Sequence, residues 1–516
     1  MLSPAAQQCG SSRHDVMAVA LVAFFALVVR LVVWHEFPVM YHADEIYQTV
    51  EQAHHLAFGT GITPWEFEQG ARSWLLPVLL AGAMKVGALF DGSTESYLTA
   101  AKFLLALVSL IPVVCAYLWC RRLGRSMSSA MLAALACGIW YELVFFSVSS
   151  LSEAIAAHLL VLAFYLGDGA FRTTDSNLHD RRGKSVAFAT GSALGLAIAI
   201  RPHLFPAALI VPLFANRKMW TQILLGGAMV GVLAGLVDWA FWGTPFHSYL
   251  IYYQVNISNG VADSFGVFPW YSYFEWLVEN WSWRLPIIAL LTLVGARVKP
   301  QLLLAAAAIV LSHSLIGHKE FRFIYPALVM NCVCATIGLA EVTSWVGSRL
   351  TGHARSRHAR FAVFALAIAG WTSISIAGAL DRHFAPYWKV RSGLIAAYRT
   401  LRDNPRTCGV ALIGTNVWQT PGYSYLHRDI PVQVFADGAQ FELRKDQVND
   451  LVVVGPPPFA LEGFERGQCW MSGIPGHDWD ACIFTRSGTC EVTSNANRIG
   501  NKEPWWPTPF TGLLGR

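Results

Sequence analysis

Charge is what this sequence most lacks. Only 14% of its 516 residues are Asp, Glu, Lys or Arg, while 54% are hydrophobic and the mean hydropathy is +0.42. Soluble domains carry roughly 25% charged residues, so the chain reads as a polytopic membrane protein before any motif is considered. Its net charge of +5 is small and scattered over short loops, which argues against nucleic acid as a partner. The ten cysteines show no CxxC spacing, so neither a zinc site nor a redox pair is indicated. No GxGxxG or Walker pattern occurs, so nucleotide binding has no support, and no internal repeat is visible. A cleavable leader is not evident: the first apolar run, 16–34, is too long and lacks a small-residue cleavage site, so it reads as a signal anchor.

What is present is a series of apolar runs. A spanning helix needs about 20 apolar residues, and candidates lie at 16–34, 98–120, 127–146, 151–170, 185–200, 203–216, 221–242, 283–296, 300–316, 323–341 and 361–380. Basic loops follow several of them: "RRLGR" (121–125), "RTTDSNLHDRRGK" (172–184), "NRK" (216–218), "RVK" (297–299) and "RLTGHARSRHAR" (349–360). The positive-inside rule places all of these in the cytoplasm. They alternate correctly only if a twelfth run, 74–90, does not cross, so it is read as interfacial or re-entrant. The expectation is about eleven spans, with the N-terminus inside and the C-terminus outside. Loop 35–97, Arg201, loop 243–282, the "GHKEFR" turn (317–322) and the tail 381–516 then share the non-cytoplasmic face.

The chain divides by composition into a membrane part, 1–380, and a tail, 381–516. Strand-like stretches in the tail ("GVALIGT", 409–415; "IPVQVFA", 430–436; "DLVVVG", 450–455) are split by Gly and Pro turns, and "VRSGLIAAYRTLRD" (390–403) has helical periodicity. A small α/β domain is expected there. Cys9 stands in the N-terminal tail and Cys115, Cys120, Cys137, Cys332 and Cys334 lie in or beside apolar runs. Cys408, Cys469, Cys482 and Cys490 fall in the tail and can pair if it faces an oxidising compartment.

Three stretches carry groups capable of chemistry. In "HADEIYQTVEQAHH" (42–55), Asp44 and Glu45 stand where the chain leaves its first apolar run. Sugar transfer to a hydroxyl needs a base, and a carboxylate at a lipid–water boundary is partly desolvated, which improves it as one. Adjacent carboxylates project about 100° apart on a helix, so one is expected to face the site and the other to cap or hold a cation. Acidic residues opening a helix also suit its dipole, which accounts for one of the two. In "GHKEFRFIYP" (317–326), His318, Lys319, Glu320 and Arg322 crowd one turn, as in an anion site with its own counter-charge. Snorkelling at helix ends is the competing explanation. Arg201, in "AIAIRPHLFP", and Arg72 are lone cations on the same face, and a cation at such depth normally has a partner or ligand. The aromatic- and amide-rich loop 243–282, with Tyr253, Asn256 and Trp270, suits stacking on sugar rings, as does Trp65 in "ITPWEFEQGARSW" (62–74). An interfacial aromatic belt has the same composition.

These pieces, in this order, resemble glycosyltransferase family 22, and look closest to its GPI mannosyltransferase III branch. The matching stretches are 42–77, "IRP" (200–202), 242–273, "HKEFRFIYP" (318–326) and "TPGYSYLH" (420–427). The family reads HPDE where this chain has "HADE", and often CHSTP where it has "NVWQTP" (416–421). The resemblance implies the membrane fold called GT-C, all-α with a small C-terminal α/β domain, a polyprenyl- or dolichyl-phosphate-mannose donor and an active site on the non-cytoplasmic side. It implies an inverting α-mannosyltransferase: Asp44 as base with Glu45 as helper, and His318, Lys319, Arg322, Arg201 and Arg72 on the donor phosphate. Trp65, Tyr253, Asn256, Trp270, Tyr423 and His427 would line the substrates.

The alternatives are transfer of another lipid-linked sugar such as arabinose or glucose, a lipid-linked saccharide transporter, and a non-catalytic subunit of a glycolipid assembly complex. No cofactor is named by the sequence, no metal-ligand cluster is evident, and a divalent cation is left open. The Ala/Val/Leu-rich spans and the final "TGLLGR", which is no retrieval signal, suit a bacterial inner membrane and a bacterial glycolipid or cell-surface glycan as acceptor. In a eukaryotic host the endoplasmic reticulum and a GPI precursor would take their place.

Overall fold

A computed structural model describes residues 13–90, 95–170, 181–349, 356–471, 473 and 480–491. Cys9 and the basic stretches 172–180 and 350–355 lie outside the described residues. All eleven apolar runs are helical. Among the described residues, seven helices are long and apolar enough to cross a membrane: Arg13–Glu36, Ser96–Arg122, Arg182–Ile200, Arg217–Trp242, Ser272–Ala296, Phe321–Arg349 and His358–Ala379. An eighth is the bent pair Met127–Ile139 and Tyr141–Val148, which turns by 61° where Trp140 takes an extended backbone.

Sequence hydropathy counts apolar residues whatever their backbone does, and here the backbone intervenes. The run around 203–216 is broken into Pro202–Leu204, Phe205–Ala208 and Ile210–Phe214. Pro300–Ser314 has 15 residues, a rise of about 22 Å against the roughly 30 Å of a hydrocarbon core. The run read as interfacial or re-entrant forms the 16-residue helix Leu75–Phe90, also among the shorter apolar helices.

By internal contacts the chain forms two compact units. The first comprises 1–33, 103–236 and 261–384, and the second 34–102, 237–260 and 385–516. The tail portion of the second unit begins at residue 385. What composition does not reveal is that 34–102 and 237–260 fold with the tail.

In the first unit, glycine lets helices touch. A Cβ on Gly191 would lie 1.8 Å from the carbonyl oxygen of Ile223, and one on Gly226 would lie 2.1 Å from that of Phe188. The helices Leu285–Ala296 and Tyr325–Arg349 meet in the same way, with Gly295 against the Cys334 carbonyl and Gly338 against that of Leu291. Helix association in lipid depends on such close backbone approach, because burial among lipid tails supplies no hydrophobic drive. Arg30 is buried within the first helix and donates to Ser109 Oγ at 2.8 Å and to the carbonyls of Ala26 and Gly138 at 3.0 Å each.

In the second unit, five strands form one sheet in the order β2-β1-β3-β5-β4: β1 (Val410–Ile413), β2 (Val432–Phe435), β3 (Asp450–Val454), β4 (Glu465–Met471) and β5 (Asp480–Thr485). β1 pairs parallel with β2 and β3, and β5 pairs antiparallel with β3 and β4. Ala411, Ile413, Phe435, Phe441, Leu451 and Val453 form its core. The three parallel strands and the helix Ser392–Asp403 are those expected from sequence. β4, "ERGQCWM", is an exposed edge strand with no apolar alternation to announce it. Disulfides join Cys408 to Cys490 and Cys469 to Cys482.

Candidate active site

The segment that follows the first span opens a helix in the second unit. His42, in extended conformation, caps it, its Nδ1 accepting from the Asp44 backbone N–H at 3.2 Å. A π turn over Ile46–Val50 then adds a residue to the ladder before the helix runs on through Glu51–Phe58 and ends at Gly59 in the left-handed region. Such π insertions re-aim side chains and recur at functional sites. The adjacent carboxylates separate as their angular spacing requires. Glu45 is buried, 3.3 Å from Lys102 Nζ, and accepts from the Tyr41 N–H. Asp44 keeps 22% of its side chain exposed, 3.5 Å from His42 Nδ1. Beside it, Glu66 is buried and accepts from Gln48 Nε2 at 2.7 Å. Burial and the charge of Asp44 push the Glu66 carboxyl up to about 7, against the pull of Arg72. Arg72 itself lies 5.3 Å from the Tyr252 ring, and its carbonyl accepts from Trp242 Nε1.

Glu51 has a different occupation. Fully buried, its carboxylate accepts from the backbone N–H groups of Ile62, Tyr423 and Ser424 at 2.8–2.9 Å. It therefore clasps the "TPGYSYLH" segment, and Gly422 is required there: its φ is +65° and a Cβ would stand 2.6 Å from Glu51 Oε2. His54 and His427 share a 2.8 Å hydrogen bond, His427 also stacking on Tyr97, and burial pushes His54 down to about 4. Tyr47 Oη donates to the carbonyls of Val417 and Thr420. Arg391 donates to the carbonyls of Met40 and Tyr41, fixing the lead-in to Asp44.

The cationic corner belongs to the first unit. Arg201 and Arg322 converge on one buried carboxylate, Glu153, at 3.1 and 3.2 Å. Arg322 also grips Glu320, and Glu320 shares a 3.2 Å hydrogen bond with His318, whose other ring nitrogen meets the Gly266 carbonyl. The bond to Glu320 holds the His318 imidazole above its ordinary value. Lys319 Nζ donates to the carbonyls of Phe268 and Ile316.

The residues proposed to line the substrates divide by exposure. Tyr253 and Trp270 are exposed, and Trp65 is half-buried. Asn256 donates back to the Tyr252 carbonyl of its own helix. Tyr423 is buried with its hydroxyl on the Ile430 carbonyl, so it and His427 are engaged in packing the unit. Among the described residues no three His, Cys, Asp or Glu side chains are grouped so as to hold a metal ion.

The sequence profile of the Alg9-like mannosyltransferase family matches residues 20–427. The chain belongs to that family. A GPI mannosyltransferase 3 from Yarrowia lipolytica is 26% identical over 76% of this chain and 72% of its own length. A GPI alpha-1,2-mannosyltransferase 3 from Danio rerio is 27% identical over 63% of this chain and 60% of its own. The crystal structure of ArnT from Cupriavidus metallidurans bound to undecaprenyl phosphate superposes with a TM-score of 0.53 over 92% of this chain and 99% of that one, at 14% identity. The fold is therefore GT-C, and this member of the Alg9-like family is a multi-pass membrane glycosyltransferase.

Two acidic residues of this family member escaped sequence reasoning. Glu66 sits inside the quoted aromatic stretch, and only folding brings it under the influence of Asp44. Glu153 opens the helix Ser152–Ala170, where an acidic residue looks like ordinary dipole compensation. Its signal was an ionisable group inside an apolar run, which in a membrane is a functional candidate by default.

Proposed function

We propose that this protein is an inverting α-mannosyltransferase. It would move mannose from a polyprenyl- or dolichyl-phosphate-mannose to a hydroxyl of a glycolipid or glycan on the non-cytoplasmic face. The observation that carries the reading is the sorting of four carboxylates. Glu45, Glu51 and Glu66 are buried, whereas Asp44, beside His42 at the helix start, keeps access to solvent. Asp44 removes the proton of the acceptor hydroxyl as that oxygen attacks the anomeric carbon. Burial raises the Glu66 carboxyl, while Asp44 at the helix start keeps contact with solvent, the contrast of environments that separates acid and base roles. Glu45 helps by tying the helix start to Lys102. No covalent sugar–enzyme intermediate is needed, so a β-linked donor gives an α-mannoside.

The lipid phosphate leaves with its charge held by Arg322, Lys319 and His318, joined by Arg201 and Arg72, as a developing anion requires. Trp65, Tyr253 and Trp270 offer ring faces to sugars, with Asn256, Tyr423 and His427 shaping the surrounding backbone. Two disulfides in the tail support an oxidising, non-cytoplasmic face, as does the placement of the basic loops. A lipidic donor fits that side, since nucleotide sugars are cytosolic. The membrane is the bacterial inner membrane, or the endoplasmic reticulum in a eukaryotic host. The names of the GPI mannosyltransferase 3 relatives support a glycolipid acceptor.

In purified enzyme supplied with polyprenyl-phosphate-mannose, Asp44→Asn is expected to lower transfer by about 10²–10⁴-fold, the usual scale of general-base catalysis, with lipid-phosphate binding retained. Near-normal turnover rejects the base assignment. Mass spectrometry of the glycolipids lost on deletion identifies the acceptor.

A further inference from the structure

Every nitrogen of the Arg322 guanidinium faces a carboxylate. Nε and Nη2 make a two-pronged contact with Glu320, 2.6 Å to Oε2 and 3.2 Å to Oε1, while Nη1 donates to Glu153 at 3.2 Å. The Nε/Nη2 edge is a fork that matches carboxylate and phosphate alike, so an incoming phosphate finds it occupied. The two carboxylates are not equivalent. Glu153 is 2% exposed and anchors Arg201 as well. Glu320 is 28% exposed and sits on extended backbone just before the short turn Phe321–Ile324, so of the two it is the one that borders solvent.

The charges give the same answer. Glu153 and Glu320 both stand against the Arg322 guanidinium, so a phosphate arriving at that fork without a departure would meet like charge in a buried site. If Glu320 withdraws, that repulsion is relieved, and His318, its other partner, is released towards the same anion.

We propose that Glu320 is an internal stand-in for the donor's phosphate: in the resting protein its carboxylate fills the fork of Arg322, and the sugar–phosphate lipid binds by displacing it while Glu153 keeps the guanidinium aimed. The inference rests on the phosphate-holding role given to Arg322 above. Between turnovers Glu320 supplies the acceptors for the Nε/Nη2 edge of Arg322, which burial would otherwise leave unsatisfied at a cost to the fold. It also competes with the spent lipid phosphate after transfer and so promotes release.

The test is titration of the full-length protein in detergent with undecaprenyl phosphate, read by tryptophan fluorescence, with uncharged undecaprenol as control. Glu320→Gln removes the competing charge and keeps the shape. If the stand-in holds nine molecules in ten, the variant binds undecaprenyl phosphate about tenfold tighter, with undecaprenol unchanged. Its resting melting temperature falls while the rise on adding lipid phosphate grows. Equal or weaker binding together with a lower resting melting temperature would show Glu320 to be merely structural and overturn the inference. In an Arg322→Lys background, which keeps a charge but has no fork, the gain from Glu320→Gln must vanish; its persistence also overturns the inference. Wild-type affinity in both Arg322→Lys and Arg322→Gln overturns the phosphate role of Arg322 itself, whatever Glu320→Gln does.

Discussion

Replacing Glu51 by Gln tests whether burial or hydrogen bonding governs the clasp that holds the 420–427 segment. The carboxylate accepts three backbone N–H groups, which favours its charge, but full burial outweighs them and pushes the carboxyl from 4.5 up to about 7. A carboxyl raised on folding binds its proton more tightly in the folded state. Below 4.5 it is neutral whether folded or not and contributes nothing; as pH rises towards 7 the unfolded chain ionises first and folding loses stability. At about 1.4 kcal/mol per tenfold change in proton affinity, that rise corresponds to about 3 kcal/mol lost by the wild type across the window. Gln does not titrate. It keeps one acceptor oxygen and turns the other position into a donor facing an N–H, a pH-independent penalty of about 1–3 kcal/mol.

The variant should therefore be clearly less stable than wild type near pH 5 and about as stable, or more so, at pH 8. With roughly 2–4 °C per kcal/mol for a unit of this size, the melting-temperature difference between the two proteins should move by about 6–12 °C. Thermal unfolding in detergent, followed by tryptophan fluorescence at pH 5, 6, 7 and 8, measures it. Parallel curves would refute the raised value, and a penalty that grows with pH would mean that the three donors win over burial.

Two further outcomes follow from the packing of the first unit. Glu153→Gln leaves Arg201 and Arg322 without their shared charge and should destabilise the protein by about 3–5 kcal/mol while weakening lipid-phosphate binding; both are measured on the purified protein, and an unaltered melting temperature would contradict the pairing. Gly295→Leu places side-chain atoms where a Cβ alone would be 2.0 Å from the Cys334 carbonyl, so the two helices must separate, at a loss of about 1–3 kcal/mol or more, seen as reduced folded yield and a lower melting temperature.

The amino-acid order alone determined a great deal. Apolar runs reported the membrane class and the position of the helices, since lipid tolerates little else. Polarity and turn residues located the tail and its three parallel strands. "HADE" and "HKEFR" stood out because ionisable clusters beside apolar runs are rare enough to notice. Local pattern stops where partners are distant in the chain. It marks Asp44 and Glu45 as neighbours but does not tell which is exposed; Lys102, 57 residues on, decides that by pairing with Glu45. It shows Glu51 as one more acid on a helix, while its three donors come from positions 62, 423 and 424. Glu153 has no motif at all, and its meaning appears only when Arg201 and Arg322 fold onto it. Hydropathy is a sum over neighbours, and sequence carries it in full. The state of a buried charge depends on whichever groups tertiary folding brings within a few ångströms, and for that reason only the structure could assign it.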